Sequence, residues 1–269
     1  AALFASCSES FLDTTQEGVQ SEETFYNSLT NIGQAVTGTY GSLNIQPAGI
    51  HNLDMMYLVF GSIASDEAEA GGEQGGNDFL DIQHADLGTI QPSEPKSLSD
   101  AFWAYNYKSI LRANSTLAGI NKYKSSNSNI PADSLKLLNQ YEGELYFILA
   151  FVHFKMVQVY GGIPIVDHPL SSSEYGIKRN TIAECLHAIQ GWLQKASNLL
   201  PVKGRTEVGR ATKGAALSLL AKAYLYEASY AENYAGDARF AGCTNTYAKA
   251  LACADSVISQ NAGTYKLVG

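Results

Sequence analysis

The stretch that decides the fold is Glu142–Ile165, which reads EGELYFILAFVHFKMVQVYGGIPI. Its apolar residues recur every three or four positions, which predicts the buried face of a long amphipathic helix. The same pattern extends upstream to Pro131, where a proline followed by an acidic residue favours a helix start. The helix must end near Tyr160, because the two glycines that follow accept a left-handed conformation and Pro164 cannot continue a helix.

Helical periodicity dominates the rest of the chain as well. Further helices are predicted over residues 21–40, 100–121, 181–200, 212–232 and 247–259. Small and aromatic residues mark the facing sides of two pairs, 101–121 with 132–160 and 181–200 with 212–232, as is typical of tetratricopeptide-like repeats. Strand patterns are confined to 163–166 and 265–268. We therefore expect an all-α fold, an irregular tetratricopeptide-like scaffold of helical pairs with long loops and minor β structure.

The charge of the chain is unevenly distributed along the sequence. Hydrophobic residues make up 45%, which is enough for a sizeable core. The formal net charge is −8, which argues against a nucleic-acid-binding protein and against electrostatic docking on anionic lipid. The excess lies between Gly61 and Asp100, where nine acidic residues accompany a single base, Lys96.

The acidic stretch Gly61–Ser99 is the segment best suited to bind a ligand. It is rich in glycine and has no sustained periodicity, and long irregular loops are often functional. Sugars stack on aromatic rings and hydrogen-bond to polar side chains, and such side chains occur together here. The predicted ligand-binding residues are Asn77, Asp78, Phe79, Asp81 and His84. Most other aromatic residues, including Trp103 and Trp192, have helical spacing and are assigned to the core.

The same stretch offers oxygen ligands for calcium, although its spacing matches no EF-hand loop. We expect no other cofactor and no dedicated metal-binding residues. Catalytic signatures are lacking too: the chain has no G-x-S-x-G motif, and its five histidines are scattered. A helical glycosidase that uses two loop carboxylates is an alternative. The sequence otherwise predicts a protein that is not an enzyme and has no catalytic residues.

The N-terminal residues 1–7, AALFASC, resemble the end of a signal peptide followed by a cysteine. A lipoprotein-processing peptidase needs small residues, here Ala5 and Ser6, before the cysteine that it leaves lipidated. The alternative is an apolar terminus with an incidental cysteine. We divide the chain into a signal-peptide remnant, 1–7, which ends at the lipidation residue Cys7, and a helical domain, 8–269.

Four blocks of sequence together carry a resemblance to a known family. They are CSESFLD at 7–13, FWxxNxxxIxRAN at 102–114, the helix-and-turn block at 142–165, and GRATKGAAxxLLAxxYL at 209–225. In their order and spacing the chain resembles the SusD/RagB family of outer-membrane nutrient-binding lipoproteins over essentially its whole length. It departs from the pattern at Gly143, where a glycine inside a helix costs about 1 kcal/mol, and at Lys155, which interrupts the apolar stripe.

The resemblance implies a lipid-anchored protein on the outer membrane, exposed at the cell surface. It implies capture of oligosaccharides for polysaccharide utilisation and their delivery to a TonB-dependent, SusC-like barrel, over which the protein lies as a lid. Family members are longer, so the domain is expected to be truncated at its C-terminus. Family ligands also include peptides, and the acidic stretch would attract cationic ones, so a peptide-binding importer lid is the alternative.

Overall fold

The computed structural model describes residues 22–44, 58–72, 80–89, 98–259 and 264–265. Within these ranges the predicted all-α fold is confirmed, and no β-strand accompanies it. The helices are α1 (Glu22–Phe25), α2 (Leu29–Gly41), α3 (Leu80–Asp86), α4 (Leu98–Ser126), α5 (Ala132–Tyr160), α6 (Ile182–Leu199), α7 (Lys213–Asn233) and α8 (Tyr247–Ile258). None of these helices is both long enough and apolar enough to cross a membrane.

The two predicted helical pairs are confirmed. Helix α4 packs against α5, and α6 packs against α7. Helix α5 also contacts α6, and α7 contacts α8. Helix α2 packs against both α4 and α5. Helix α5 occupies the centre, and the residues of its inward face are at most 1% exposed: Leu145, Ile148, Leu149, Val152 and Met156.

The helix predicted over residues 21–40 is interrupted and forms α1 and α2. Ser28 caps α2, because its side chain accepts a hydrogen bond from the backbone N–H of Asn31. The side-chain amide of Asn31 in turn donates to the carbonyl of Phe25 at 2.8 Å. The apolar spacing continues through this turn. The hydrophobic periodicity therefore predicted one helix where the structure has two.

The segment 163–166 is not a strand, so that prediction was wrong. Its carbonyl groups accept hydrogen bonds from side chains of α4 instead of pairing with a neighbouring strand. The hydroxyl of Tyr107 donates to Pro164 at 2.8 Å, and the amide of Asn114 donates to Val166 at 2.9 Å. In the second predicted strand, Tyr265 is not in a strand and residues 266–268 lie outside the described ranges.

The acidic stretch contains more regular structure than its sequence suggested. It includes α3 and overlaps a π-helical turn at Leu58–Ile63. Helix α3 buries Ile82 and Ala85 in the core, and the backbone N–H of Ala70 donates to the carboxylate of Asp86 at 3.3 Å. The expectation of an irregular loop was therefore wrong for these residues.

A buried ion pair joins two of the sequence blocks that carry the family resemblance. Glu144 on α5 is fully buried, and its Oε2 accepts a hydrogen bond from Arg210 Nη1 at 2.8 Å. Arg210, in the loop between α6 and α7, also donates to Glu207 and to Thr37 on α2. Burial disfavours the charged guanidinium, but the bonds to Glu207 and Glu144 outweigh it and raise the pKa of Arg210. One side chain thus connects three parts of the fold.

We expect Arg210→Ala to lower the free energy of unfolding by about 3–5 kcal/mol, because it leaves the Glu144 carboxylate buried without its cation. Chemical denaturation followed by circular dichroism measures this loss. The control Arg239→Ala breaks an exposed ion pair with Asp237 and should change stability by less than about 1 kcal/mol. Equal losses in the two variants would contradict a special role for the buried pair.

Gly143 lies where α5 meets the C-terminal end of α6. A Cβ atom placed on it would lie 2.9 Å from the Cβ of Leu199 and 3.2 Å from the backbone nitrogen of Leu200. The glycine that reduces helix propensity therefore permits a close contact between two helices.

The substitution Gly143→Ala is expected to lower the free energy of unfolding by about 1–3 kcal/mol, since overpacking outweighs the gain in helix propensity. Gly191→Ala on α6 is the matched control. Nothing lies within 4 Å of the position of its added Cβ, so it should be neutral or stabilise the protein by up to about 1 kcal/mol. Thermal unfolding distinguishes the two variants, and a stabilised Gly143→Ala protein would refute the close-contact explanation.

Candidate functional site

Most of the ligand-binding residues predicted from the sequence fall outside the described ranges. Asn77, Asp78 and Phe79 all do so. Asp81 lies in α3, and His84 lies on the same helix with a half-buried side chain. Contact of these five residues with a ligand therefore stays a prediction.

The described part of the acidic stretch does not assemble a metal centre. Asp66, Glu67 and Glu69 are exposed. Among the residues that the structure describes, no three His, Cys, Asp or Glu side chains come close enough together to hold a metal ion. Glu73 and Glu94 lie outside the described ranges, so calcium binding in the acidic stretch stays a prediction too.

A cleft of about 430 Å³ lies beside the acidic stretch, between the start of α4, the end of α5 and the loop before α6. We call it the Trp103 cleft, because the half-buried ring of Trp103 forms its wall. The ring of Tyr160 meets Trp103 edge-on, with centroids 5.0 Å apart. The Tyr160 hydroxyl donates to the carbonyl of Ser99. Burial and the nearby charge of Asp100 raise the pKa of Tyr160, which keeps the phenol neutral.

Charged side chains complete the Trp103 cleft. The guanidinium carbon of Arg179 lies 5.8 Å from the centroid of the Trp103 ring, and Asp100 lines the same cleft. The cleft therefore combines an aromatic surface with donors and an acceptor. A mostly apolar wall with a few placed polar groups is typical of small-molecule sites.

The loop 161–181 holds Arg179 in this position. The backbone N–H of Asn180 donates to the carbonyl of Ile163 at 3.0 Å, and the Asn180 side-chain oxygen accepts the N–H of Ile165 at 3.0 Å. These two bonds fasten the end of the loop to its beginning. Arg179 directly precedes Asn180 and is thereby kept beside the start of α4.

A second cleft, of about 370 Å³, adjoins the first. Phe60 and Val159 line both clefts, so the two form neighbouring parts of one groove. Lys155 from α5 and Lys222 from α7 line the second cleft, which we call the Lys222 cleft.

Comparison with known proteins identifies the family. The model of a SusD-like family, described as starch-binding and associating with the outer membrane, matches residues 78–225. The chain belongs to the SusD-like family. SusD-like protein P2 from Formosa agariphila is 25% identical to it over 240 residues, which are 87% of this chain and 43% of that relative. This SusD-like chain spans less than half the length of the curated relatives it matches.

Solved structures share the fold of this SusD-like protein. A laminarin-binding SusD-like protein, 22% identical, superposes with a TM-score of 0.68 over 90% of this chain and 47% of its own. Surface glycan-binding protein A from Bacteroides fluxus is 18% identical and superposes with a TM-score of 0.67 over 90% of this chain and 46% of its own.

Sequence reasoning missed the residues that line the groove of this SusD-like protein. Trp103 and Trp192 both have helical spacing, so both were assigned to the core. Trp192 is buried there, with 7% exposure, whereas Trp103 lines a cleft. Arg179 stands in a polar loop without any motif, and only the fold places it near Trp103. The lysine that interrupts the apolar stripe at position 155 could have indicated the groove, because Lys155 lines the second cleft.

Proposed function

We propose that this chain is a glycan-binding part of an outer-membrane lipoprotein that captures oligosaccharides and passes them to a TonB-dependent barrel. The observation that carries the proposal is the Trp103 cleft, where an aromatic ring stands beside Arg179 and Asp100. Membership of a family described as starch-binding supports it. The shared fold with a laminarin-binding protein and with a surface glycan-binding protein supports it as well.

The geometry of the cleft suits a sugar ring. The C–H face of a pyranose packs against an indole ring, while its hydroxyls exchange hydrogen bonds with a guanidinium and a carboxylate. Tyr160 supports Trp103 from the side, so little side-chain entropy is lost when the ligand binds. The protein acts by binding and release, without breaking glycosidic bonds.

The change Trp103→Ala tests the cleft. We expect it to weaken binding of laminarihexaose or maltohexaose by about tenfold or more, because it removes a large aromatic contact. Isothermal titration calorimetry measures the affinity, and circular dichroism checks that the helices are retained. The control Tyr175→Ala removes an aromatic ring that is 74% exposed and lines neither cleft, and it should leave the affinity unchanged.

Three outcomes would contradict this function. Unchanged affinity in Trp103→Ala would remove the cleft from the binding surface. Shorter sugars released from the oligosaccharide would indicate a glycosidase. Binding of cationic peptides in place of glycans would favour the peptide-importing alternative, for which the exposed Asp66, Glu67 and Glu69 are the supporting observation.

Membrane attachment in this proposal depends on Cys7, which lies outside the described residues. Mass spectrometry of the protein extracted from its native outer membrane should find an acylated N-terminal cysteine at this position. Cys7→Ala should move the protein out of the membrane fraction, whereas Cys243→Ala should not. A mature protein that begins at Ala1 would contradict lipid anchoring at Cys7.

A further inference from the structure

Aromatic rings line the groove beyond Trp103. The ring of Tyr160, which meets Trp103, has its centroid 6.1 Å from that of Phe102. The centroid of Phe102 in turn lies 6.3 Å from that of Phe60. Phe60 lines both clefts, and Phe102 lines the Lys222 cleft. A series of neighbouring rings therefore leads from the Trp103 cleft into the Lys222 cleft.

A second series of rings leads out of the Lys222 cleft along α7. Tyr226 and Tyr230 line this cleft, and Tyr234 follows at the C-terminal cap of the helix. Residues four positions apart share one face of a helix. The centroids of the three rings are accordingly 5.9 Å and 6.3 Å apart in chain order. Tyr234 is 47% exposed, so the series reaches the protein surface.

Phe240 completes an aromatic patch at the end of α7. Its ring centroid lies 4.7 Å from that of Tyr230, and its ring stacks on Tyr234 with centroids 4.6 Å apart. We call Tyr230, Tyr234 and Phe240 the Tyr234 patch. The guanidinium carbon of Arg239 lies 5.5 Å from the Phe240 centroid, and Asp237 accepts a hydrogen bond from that guanidinium at 2.6 Å. Polar side chains thus lie beside the ring surface.

The loop that carries Phe240 is fastened to α7. The buried carboxylate of Glu227 accepts hydrogen bonds from the backbone N–H and the hydroxyl of Thr244, at 3.1 Å and 2.9 Å. The hydroxyl of Thr246 donates to the carbonyl of Tyr224 at 2.6 Å. Because these bonds hold the loop in place, the rings of the Tyr234 patch lose little conformational freedom when a ligand binds.

We propose that the Tyr234 patch is a further sugar-binding subsite, and that the ligand is a glycan chain that extends across the groove from Trp103 to Tyr234. This inference rests on the proposed glycan binding and names a chain of several sugars as the ligand. Tyr226 and Tyr234 alone lie about 12 Å apart along the helix axis, which is longer than one pyranose ring. A tyrosine ring packs against sugar C–H groups, while its hydroxyl exchanges hydrogen bonds with sugar hydroxyls.

Continuity with the groove identifies the occupant of the patch. Phe102 and Tyr226 both line the Lys222 cleft, so this cleft joins the two series of rings. Gln158 and Lys222 line it as well and can form hydrogen bonds with the hydroxyls of the sugars between the two ends. A chain whose first sugar stacks on Trp103 therefore meets rings and polar groups until it reaches Tyr234.

Calorimetric titration with oligosaccharides of two lengths tests this inference. The probes are laminaritriose and laminarihexaose, and in parallel maltotriose and maltohexaose. The unaltered protein should bind the hexasaccharide of at least one series about tenfold more tightly than the trisaccharide, because only the longer chain reaches both ends of the groove.

Three variants of the complete chain distinguish the patch from a general effect of length. Tyr234→Ala should weaken hexasaccharide binding by about fivefold or more and leave trisaccharide binding unchanged. Tyr234→Phe keeps the ring and should retain most of the hexasaccharide affinity. The control Tyr175→Ala, which removes an exposed ring that lines neither cleft, should change neither affinity. Circular dichroism checks that each variant keeps its helices.

Equal affinity for both lengths, or a hexasaccharide advantage that survives Tyr234→Ala, overturns the Tyr234 subsite and leaves glycan binding at Trp103 intact. Equal weakening of both lengths by Tyr234→Ala overturns the extended chain, because a trisaccharide bound at Trp103 does not reach the patch. No binding of any probe overturns the subsite and counts against the proposed function as well.

Discussion

The fold depends on a carboxylate and a guanidinium that meet in the protein interior. Glu144 is completely buried, and a buried carboxylate is costly without a partner. Arg210 supplies the partner and reaches Thr37 as well, so the pair sets the spacing of α2, α5 and the loop before α7. The backbone N–H of Ala211 adds a bond to the Tyr40 hydroxyl at 2.9 Å. The two sequence blocks at 142–165 and 209–225 therefore constrain each other through packing, without any ligand.

The loop between α5 and α6 extends this constraint to the groove that the two clefts form. At Gly162 an added Cβ would lie 2.1 Å from the carbonyl oxygen of Asn180, so the returning chain can approach only a glycine. That return brings Arg179 against Trp103. The glycines that end α5 thus also determine where Arg179 lies. They therefore influence which side chains line the Trp103 cleft.

Most of the helices could be predicted from the sequence, because each of them buries a stripe of apolar residues, and some also carry a start signal. The starts at Thr181 and Thr212 agree with the caps of α6 and α7. The break between α1 and α2 and the absence of a strand at 163–166 could not be predicted. Both depend on side-chain hydrogen bonds, from Asn31 and from Asn114, and a hydrophobic pattern does not record such bonds.

The candidate site was harder to predict than the fold, because its charges come from separate segments. A count along the chain finds the acidic residues between Gly61 and Asp100, because they lie within one stretch of the sequence. Arg179, Lys155 and Lys222 are far apart in sequence, and only helix packing places them along one groove. The composition of the groove therefore depends on the packing of α5 against its neighbours as much as on the lining residues themselves.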